Sequence, residues 1–292
     1  MPTAALPHGI TIAYDTFGDP ADPTIVLING LGQIRAGWRR EFVEQLVEAG
    51  LQVVTYDQRD AGGSTRLTDA PPPDPVAVFG GDRSSISYDL ADMADDLLAL
   101  LDHLDIEAAH ILGTSLGGMV AQAFAVRHPQ RTRSLTSWMS TPSLEIARPD
   151  REILAVLMTP PGPTRDDVVE HTLATYTALA GQGHPIDREW ITEYGGLLYD
   201  AGPDPMGTAR QNLAIVAAGD RREEVSTITA PTLVLHGDKD PLILPVCGEV
   251  TAELIDGARL VVLPGAGHDM SRETWPTVIA EVVEHVRRAD AA

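Results

Sequence analysis

"HILGTSLGGMVAQAFAVRHP", His110 to Pro129, changes character halfway along. It opens as an apolar run suited to a strand covered on both faces. It then crowds Gly113, Gly117 and Gly118 around Ser115, and continues as a helix that stops near Pro129. Gly113-x-Ser115-x-Gly117 fits the nucleophile elbow, a sharp strand-to-helix turn that holds a serine hydroxyl up at a sheet edge. The string alone is also an ordinary glycine turn. Context decides: a strand before, a helix after, and a later acid and histidine at strand ends.

The flanking chain supplies the strands and helices. "ITIAYDTFG" alternates and reads as an edge strand; "TIVLING", "LQVVTYD", "SLTSWMS", "PTLVLHG" and "ARLVVLPG" are short apolar runs of the buried-strand type. "GWRREFVEQLVEAG", "SYDLADMADDLLALLDHLDI", "LPVCGEVTAELID" and "WPTVIAEVVEHVRRA" carry helical spacing, while "QRDAGGSTRLTDAPPPDPVAVFGGDRSS" is too broken by glycine and proline for a helix. Strands alternating with helices predict a doubly wound, mostly parallel α/β sheet. From about Thr141 to Thr229 the alternation lapses into helical stretches ("REILAVLM", "DDVVEHTLATYTALAG", "ARQNLAIVAAG") separated by Pro/Gly clusters. The expected organisation is a core of residues 1–140 and 230–292, with residues 141–229 a helical cap over the crevice at the carboxyl ends of the strands.

A serine hydroxyl is a weak nucleophile until a base takes its proton, and that base must be oriented by a third group. Both follow in the order Ser, acid, His. "LHGDKDP" places Asp238 and Asp240 just after a strand, and "PGAGHD" places His268 just after the next.

With these blocks and "LINGLGQ", "YDQRDAGGST" and "GTSLGG", the chain resembles the α/β-hydrolase superfamily over nearly all its length outside the cap. Within it, the blocks look most like the branch of aclacinomycin methylesterase and related esterases of aromatic polyketide pathways; cofactor-free haloperoxidases have similar ones. The resemblance implies Ser115 as nucleophile, His268 as general base and Asp240, the second aspartate of its loop, as the acid. Asp238 is the competitor, with a turn residue bonding its own backbone as the alternative role. It also implies an oxyanion hole of two backbone N–H groups, at Leu31 and Leu116. The family usually has His-Gly where this chain has Asn29-Gly30.

Bulk properties narrow the field. A net charge of −21 over 292 residues argues against nucleic acid, whose phosphates need Lys and Arg, and favours neutral or cationic ligands over anionic ones. No apolar run approaches a membrane span, and Cys247, the only cysteine, forms no internal disulfide, which fits a cytoplasmic protein. His8, His103, His171 and His184 have no metal-ligand spacing, and His110 and His236 read as core residues, so neither metal nor cofactor is expected. Asp57, Arg59 and Asp60 are expected to fix loops beneath the site. Trp190, Tyr194, Leu197, Leu198, Tyr199 and Met206, with Met139 and Met158 nearby, suit a large apolar or ring-bearing small molecule, and Trp190, Tyr194 and Met139 are the candidate pocket residues. The expected chemistry is hydrolysis of a carboxylic ester or lactone through an acyl-enzyme. The alternatives are C–C bond hydrolysis or cofactor-free oxygenation on the same triad, and a receptor with a vestigial site.

Overall fold

The computed structural model describes residues 1–149 and 151–291, without the side chains of Phe79 and Met158. Eight strands form one sheet: β1 (Thr3–Ala5), β2 (Thr11–Phe17), β3 (Thr24–Ile28), β4 (Gln52–Tyr56), β5 (Ala109–Thr114), β6 (Thr132–Trp138), β7 (Thr232–Gly237) and β8 (Arg259–Leu263). Their spatial order is β1-β2-β4-β3-β5-β6-β7-β8. β1 and β2 pair antiparallel, as do β2 and β4, and every other neighbour pair is parallel. The chain leaves β3 for β4 on one side and returns to β5 on the other. That reversal opens a crevice at the carboxyl ends of β3 and β5.

The apolar run of β3 is explained by its two neighbours above and below. Ile25 and Leu27 point into a core formed with Phe42, Val43 and Leu46 of α1 (Arg40–Glu48); Val26 and Ile28 point into a second core with Leu90, Met93, Leu97 and Leu101 of α3 (Leu90–His103). A period of two thus serves two layers, each buried side chain worth about 1.5–3 kcal/mol. The start of α3 is set by a capping box: the Asp89 carboxylate accepts from the N–H groups of Ala91 and Asp92, and Asp92 accepts from Asp89 N–H. α4 (Leu116–Arg127) is buried almost all round, which is why its first turns are glycine, alanine and methionine rather than an amphipathic pattern.

Between β6 and β7 lie α5 (Leu144–Ala147), α6 (Arg151–Met158), α7 (Arg165–Leu179), α8 (Arg188–Asp200), α9 (Pro205–Ala218) and α10 (Arg222–Val225). No strand interrupts them among the described residues. The chain closes with α11 (Val246–Leu254) and α12 (Trp275–Asp290); Val278, Val282 and Val286 of α12 join the α1 side of the sheet.

Local details differ from expectation. β2 is not an edge strand: β1, three residues of "TAA", covers it, and so short a run carries no readable alternation. The proline-rich connection after β4 does hold a helix, α2 (Pro75–Phe79). There Pro75 occupies the first turn, where its fixed φ is preorganised, and the Asp74 carboxylate accepts from Ala77 N–H at 2.9 Å. α8 is masked in sequence by Gly195 and Gly196. A Cβ on Gly195 would sit 2.9 Å from Val169 Cα, so glycine there lets α7 and α8 approach closely.

Candidate active site

The parallel register brings the strand ends level. Ile28 lies opposite Gly113, Thr114 opposite Trp138, Trp138 opposite Leu235, and Gly237 opposite Leu263. The residues that follow these ends, at the loops after β3, β5, β6, β7 and β8, therefore share one rim. Ser115 sits there at φ 54° and ψ −121°, outside the helical region, while the next residue already begins α4. The glycines are steric necessities. A Cβ on Gly113 would overlap the backbone of Gly117, and one on Gly117 would overlap the Ile28 and Asn29 carbonyls. The turn is pinned by Ser115 N–H donating to Trp138 O at 3.0 Å and by the Ser140 hydroxyl donating to Ser115 O at 2.8 Å.

His268 reaches the same rim from the β8–α12 loop. Its Nδ1 is 2.7 Å from Asp240 Oδ2, with both side chains buried. Asp240 Oδ1 accepts from the N–H groups of Leu242 and Ile243, each at 2.9 Å. Burial disfavours ionisation of Asp240, but the His268 charge, together with hydrogen bonding and charge from His236, holds its carboxyl well below the usual carboxylate range. With Nδ1 bonded to the acid, Nε2 of His268 is left for the cavity. Ser115 and His268 both line that cavity, and the Ser115 hydroxyl makes no hydrogen bond among the described residues. Asp238 is engaged elsewhere. It bonds not its own turn but Gly265 N–H, at 2.6 Å, and so ties the β7 loop to the loop carrying His268.

The loop after β3 approaches from the opposite side, and a Cβ on Gly30 would stand 3.4 Å from Ser115 Cβ. The N–H groups of Leu31 and Leu116 find no acceptor among the described residues, and both belong to this crevice. Asn29, where the resemblance has histidine, closes the loop by donating from Nδ2 to Ile34 O at 2.8 Å. Two residues of the helical insertion finish the job. Gln211 of α9, wholly buried, accepts from Gly32 N–H at 2.8 Å and donates to Arg59 O at 2.8 Å. The hydroxyl of Tyr194 on α8 accepts from Ile34 N–H at 3.2 Å. Beneath, Asp57 accepts from Arg35 N–H at 2.6 Å and from its guanidinium, Arg59 is clamped by Asp96, and Asp60 is held by Arg210 and Tyr88. Gln211 escaped the sequence reading because glutamine in a helix carries no pattern; only the partner loop gives it meaning.

The cavity measures about 910 Å³ and is walled mainly by the insertion: Val168, Thr172 and Tyr176 from α7, Trp190, Tyr194 and Leu198 from α8. Met139, buried at φ 45° after β6, forms part of its floor. Trp190 and Tyr194 stack at 5.0 Å between centroids, and the Arg39 guanidinium, held by Asp187 at 2.6 Å, lies 4.1 Å from the Trp190 ring centre. Both aromatic rings are thus braced within the protein as well as lining the cavity. Leu197 and Met206 are exposed, Tyr199 lies off the wall, and the Met158 side chain is outside the described residues. Among the described residues no His, Cys, Asp or Glu group could hold a metal ion, and no helix is long and apolar enough to cross a membrane.

Comparison with known proteins agrees with this architecture. The model of the alpha/beta hydrolase fold family matches residues 23–271. The chain is 29% identical over 316 aligned positions to the rhodomycin D methylesterase of Streptomyces peucetius, covering 99% of each. It is 24% identical to the pimeloyl-[acyl-carrier protein] methyl ester esterase of Aeromonas hydrophila, covering 94% of this chain and 99% of that one. Among solved structures, the enol-lactonase of Burkholderia xenovorans has a TM-score of 0.76 and 26% identity, covering 98% of this chain and all of that one.

Proposed function

The chain belongs to the alpha/beta hydrolase fold family, and from that premise we propose that it cleaves a carboxylic ester of a bulky, ring-bearing small molecule through an acyl-enzyme on Ser115. The esterase names of relatives matching it end to end support the ester class; a methyl ester fits both names. The observation that carries the mechanism is one rim holding three features: a strained, hydrogen-bond-free serine hydroxyl, the His268–Asp240 pair, and the free N–H groups of Leu31 and Leu116.

In the proposed reaction Ser115 Oγ attacks the ester carbon while Nε2 of His268 takes its proton. The negative charge moves to the former carbonyl oxygen, where the N–H groups of Leu31 and Leu116 receive it. His268 then returns the proton to the departing alkoxide, which leaves as the alcohol. Water attacks the acyl group, again giving its proton to His268, and the acid departs as Ser115 regains its hydrogen. Asp240, ionised throughout, holds the imidazole in the tautomer that exposes Nε2. Residues 141–229 act as the cap, and their apolar wall supplies the preference for large neutral bodies over small anionic ones.

A fluorophosphonate should label Ser115 stoichiometrically, and a panel of methyl esters should show higher kcat/KM for polycyclic than for short-chain acids. Ser115→Ala should lose about 10⁴-fold in kcat, at an unchanged melting temperature. Ester hydrolysis at the wild-type rate by Ser115→Ala would falsify the assignment.

A further inference from the structure

The pattern Gly-x-Gly-His occurs twice: as Gly181-x-Gly183-His184 after α7, and as Gly265-x-Gly267-His268 after β8. The fold lays the two loops against each other. His268 N–H donates to Leu179 O at 2.8 Å. His184 Nε2, facing an oxygen that can only accept, donates to Pro264 O at 2.9 Å. The helical insertion thus bonds the His268 loop at both of its ends. Between those bonds the two backbones touch. A Cβ on Gly267 would overlap Gly181 N and Leu179 O, and one on Gly183 would overlap Gly265 Cα. Glycine on both sides is what permits so close an approach.

The proposed reaction needs this loop held. His268 must keep Nε2 within hydrogen-bond reach of Ser115 Oγ, and a misplacement of about 1 Å costs on the order of 10²-fold in rate. Asp240 orients the imidazole ring, but the loop sets where its Cα stands. β8 is the last strand of the sheet, so only one strand-end loop can brace the loop that follows it. That neighbour, the loop after β7, uses Asp238 to receive Gly265 N–H at 2.6 Å and donates Lys239 N–H to Ala266 O at 2.9 Å. Pro264 and His268 take their bonds from the insertion instead. Among the described residues, the cavity wall includes neither glycine of the loop after α7 nor His184. Any effect of this loop on the reaction therefore passes through His268.

Resting on the ester-hydrolase proposal, we propose that His184 is a positioning residue for the reaction. Together with the glycine seam it clamps the His268 loop and so fixes the general base beside Ser115. The insertion then governs the base as well as the substrate.

His184→Ala should lower kcat about tenfold on small and bulky esters alike, with KM changed by less than about twofold. His184→Gln, whose amide can donate to the same carbonyl, should restore most of the loss. Gly183→Ala, which wedges the two backbones apart, should cost about 10²-fold in kcat. Amide hydrogen exchange at His268 should quicken about tenfold in both alanine variants. Exchange at Leu242 and Ile243, whose N–H groups hold Asp240, should stay at the wild-type rate. Should Gly183→Ala not fold, the two His184 variants decide. A loss confined to bulky esters, a loss that His184→Gln does not relieve, or unchanged exchange at His268 overturns the inference. If the wild type cleaves no ester and takes no fluorophosphonate, the hydrolytic proposal fails. Exchange at His268 then still shows whether His184 and the seam hold that loop.

Discussion

Ser115 keeps φ at 54° although it has a Cβ, a conformation that costs on the order of 1–3 kcal/mol. It persists because Gly113, Gly117 and Ser140 leave the chain no other way round the turn. Asp240 and Asp238, two residues apart, are separated just as sharply by their surroundings. The first meets His268 at 2.7 Å; the second meets only a backbone N–H and, at 3.7 Å, Lys239. Asp240→Asn should therefore lower kcat by about 10³–10⁴-fold, and Asp238→Asn by tenfold or less. The opposite ranking in steady-state kinetics would reassign the acid. Because the Asp240 carboxyl is held far below its usual range, it should stay ionised where acid switches activity off. The acid limb of kcat/KM should then show one proton, and a two-proton limb would place Asp240 in the same titration.

At the scale of elements, the insertion is more than a roof. α9 and α8 each hand one hydrogen bond to the loop after β3, through Gln211 and Tyr194. Losing the acceptor for a buried N–H costs about 1–3 kcal/mol, and here the loosened N–H lies one or a few residues from Leu31. Gln211→Leu and Tyr194→Phe are expected to reduce kcat by roughly tenfold on small and bulky esters alike. Trp190, braced by Arg39 and Tyr194 but not bonded to that loop, should behave differently. Trp190→Ala should reorder the bulky esters more than it slows a small activated one. Parallel kinetics on both ester classes test this, and a Tyr194→Phe defect confined to bulky esters would mean that its hydroxyl does not hold the loop.

For the whole molecule, His285 links α12 to the sheet and to acid stability. It is buried, its Nε2 donates to Leu135 O at 3.1 Å, and burial is the main cause that brings its pKa down to about 4. Unfolded, the same imidazole titrates near its ordinary value of about 6.5. Between those limits the unfolded chain binds the additional proton, so stability is full above about 6.5, declines as pH falls toward about 4, and then levels. The full loss amounts to roughly 3 kcal/mol. Urea midpoints at pH 7 and pH 4.5 should converge in His285→Gln relative to wild type. His110, which burial also lowers, interacts with His285, so the difference reads the pair of buried imidazoles together. Parallel losses in the two proteins would show that His285 is not held neutral.

The elements legible in the sequence were those whose pattern is local. β3 to β8 are apolar runs ended by turn residues, α3 repeats Leu90, Met93, Leu97 and Leu101, and the glycines flanking Ser115 record a backbone collision that occurs within a few residues. Chain order also placed Ser115, the Asp238/Asp240 pair and His268 after β5, β7 and β8, since parallel strands joined by right-handed crossovers finish on one edge, and the family resemblance chose Asp240 of the pair. What depended on partners distant in sequence was not legible. β1 exists because β2 offers it an edge, whereas α2 carries a local start signal in Asp74 and Pro75 that the run of prolines and glycines around it obscured. Gln211 matters through Gly32, 179 positions away, and Tyr194 through Ile34, 160 away. Backbone sterics and hydrophobic period act along the chain, and so the sequence by itself determined the parallel strands, their order along the chain and the rim they share. Hydrogen bonds and ion pairs are satisfied across space, and only the tertiary structure decided which side chains hold the loops.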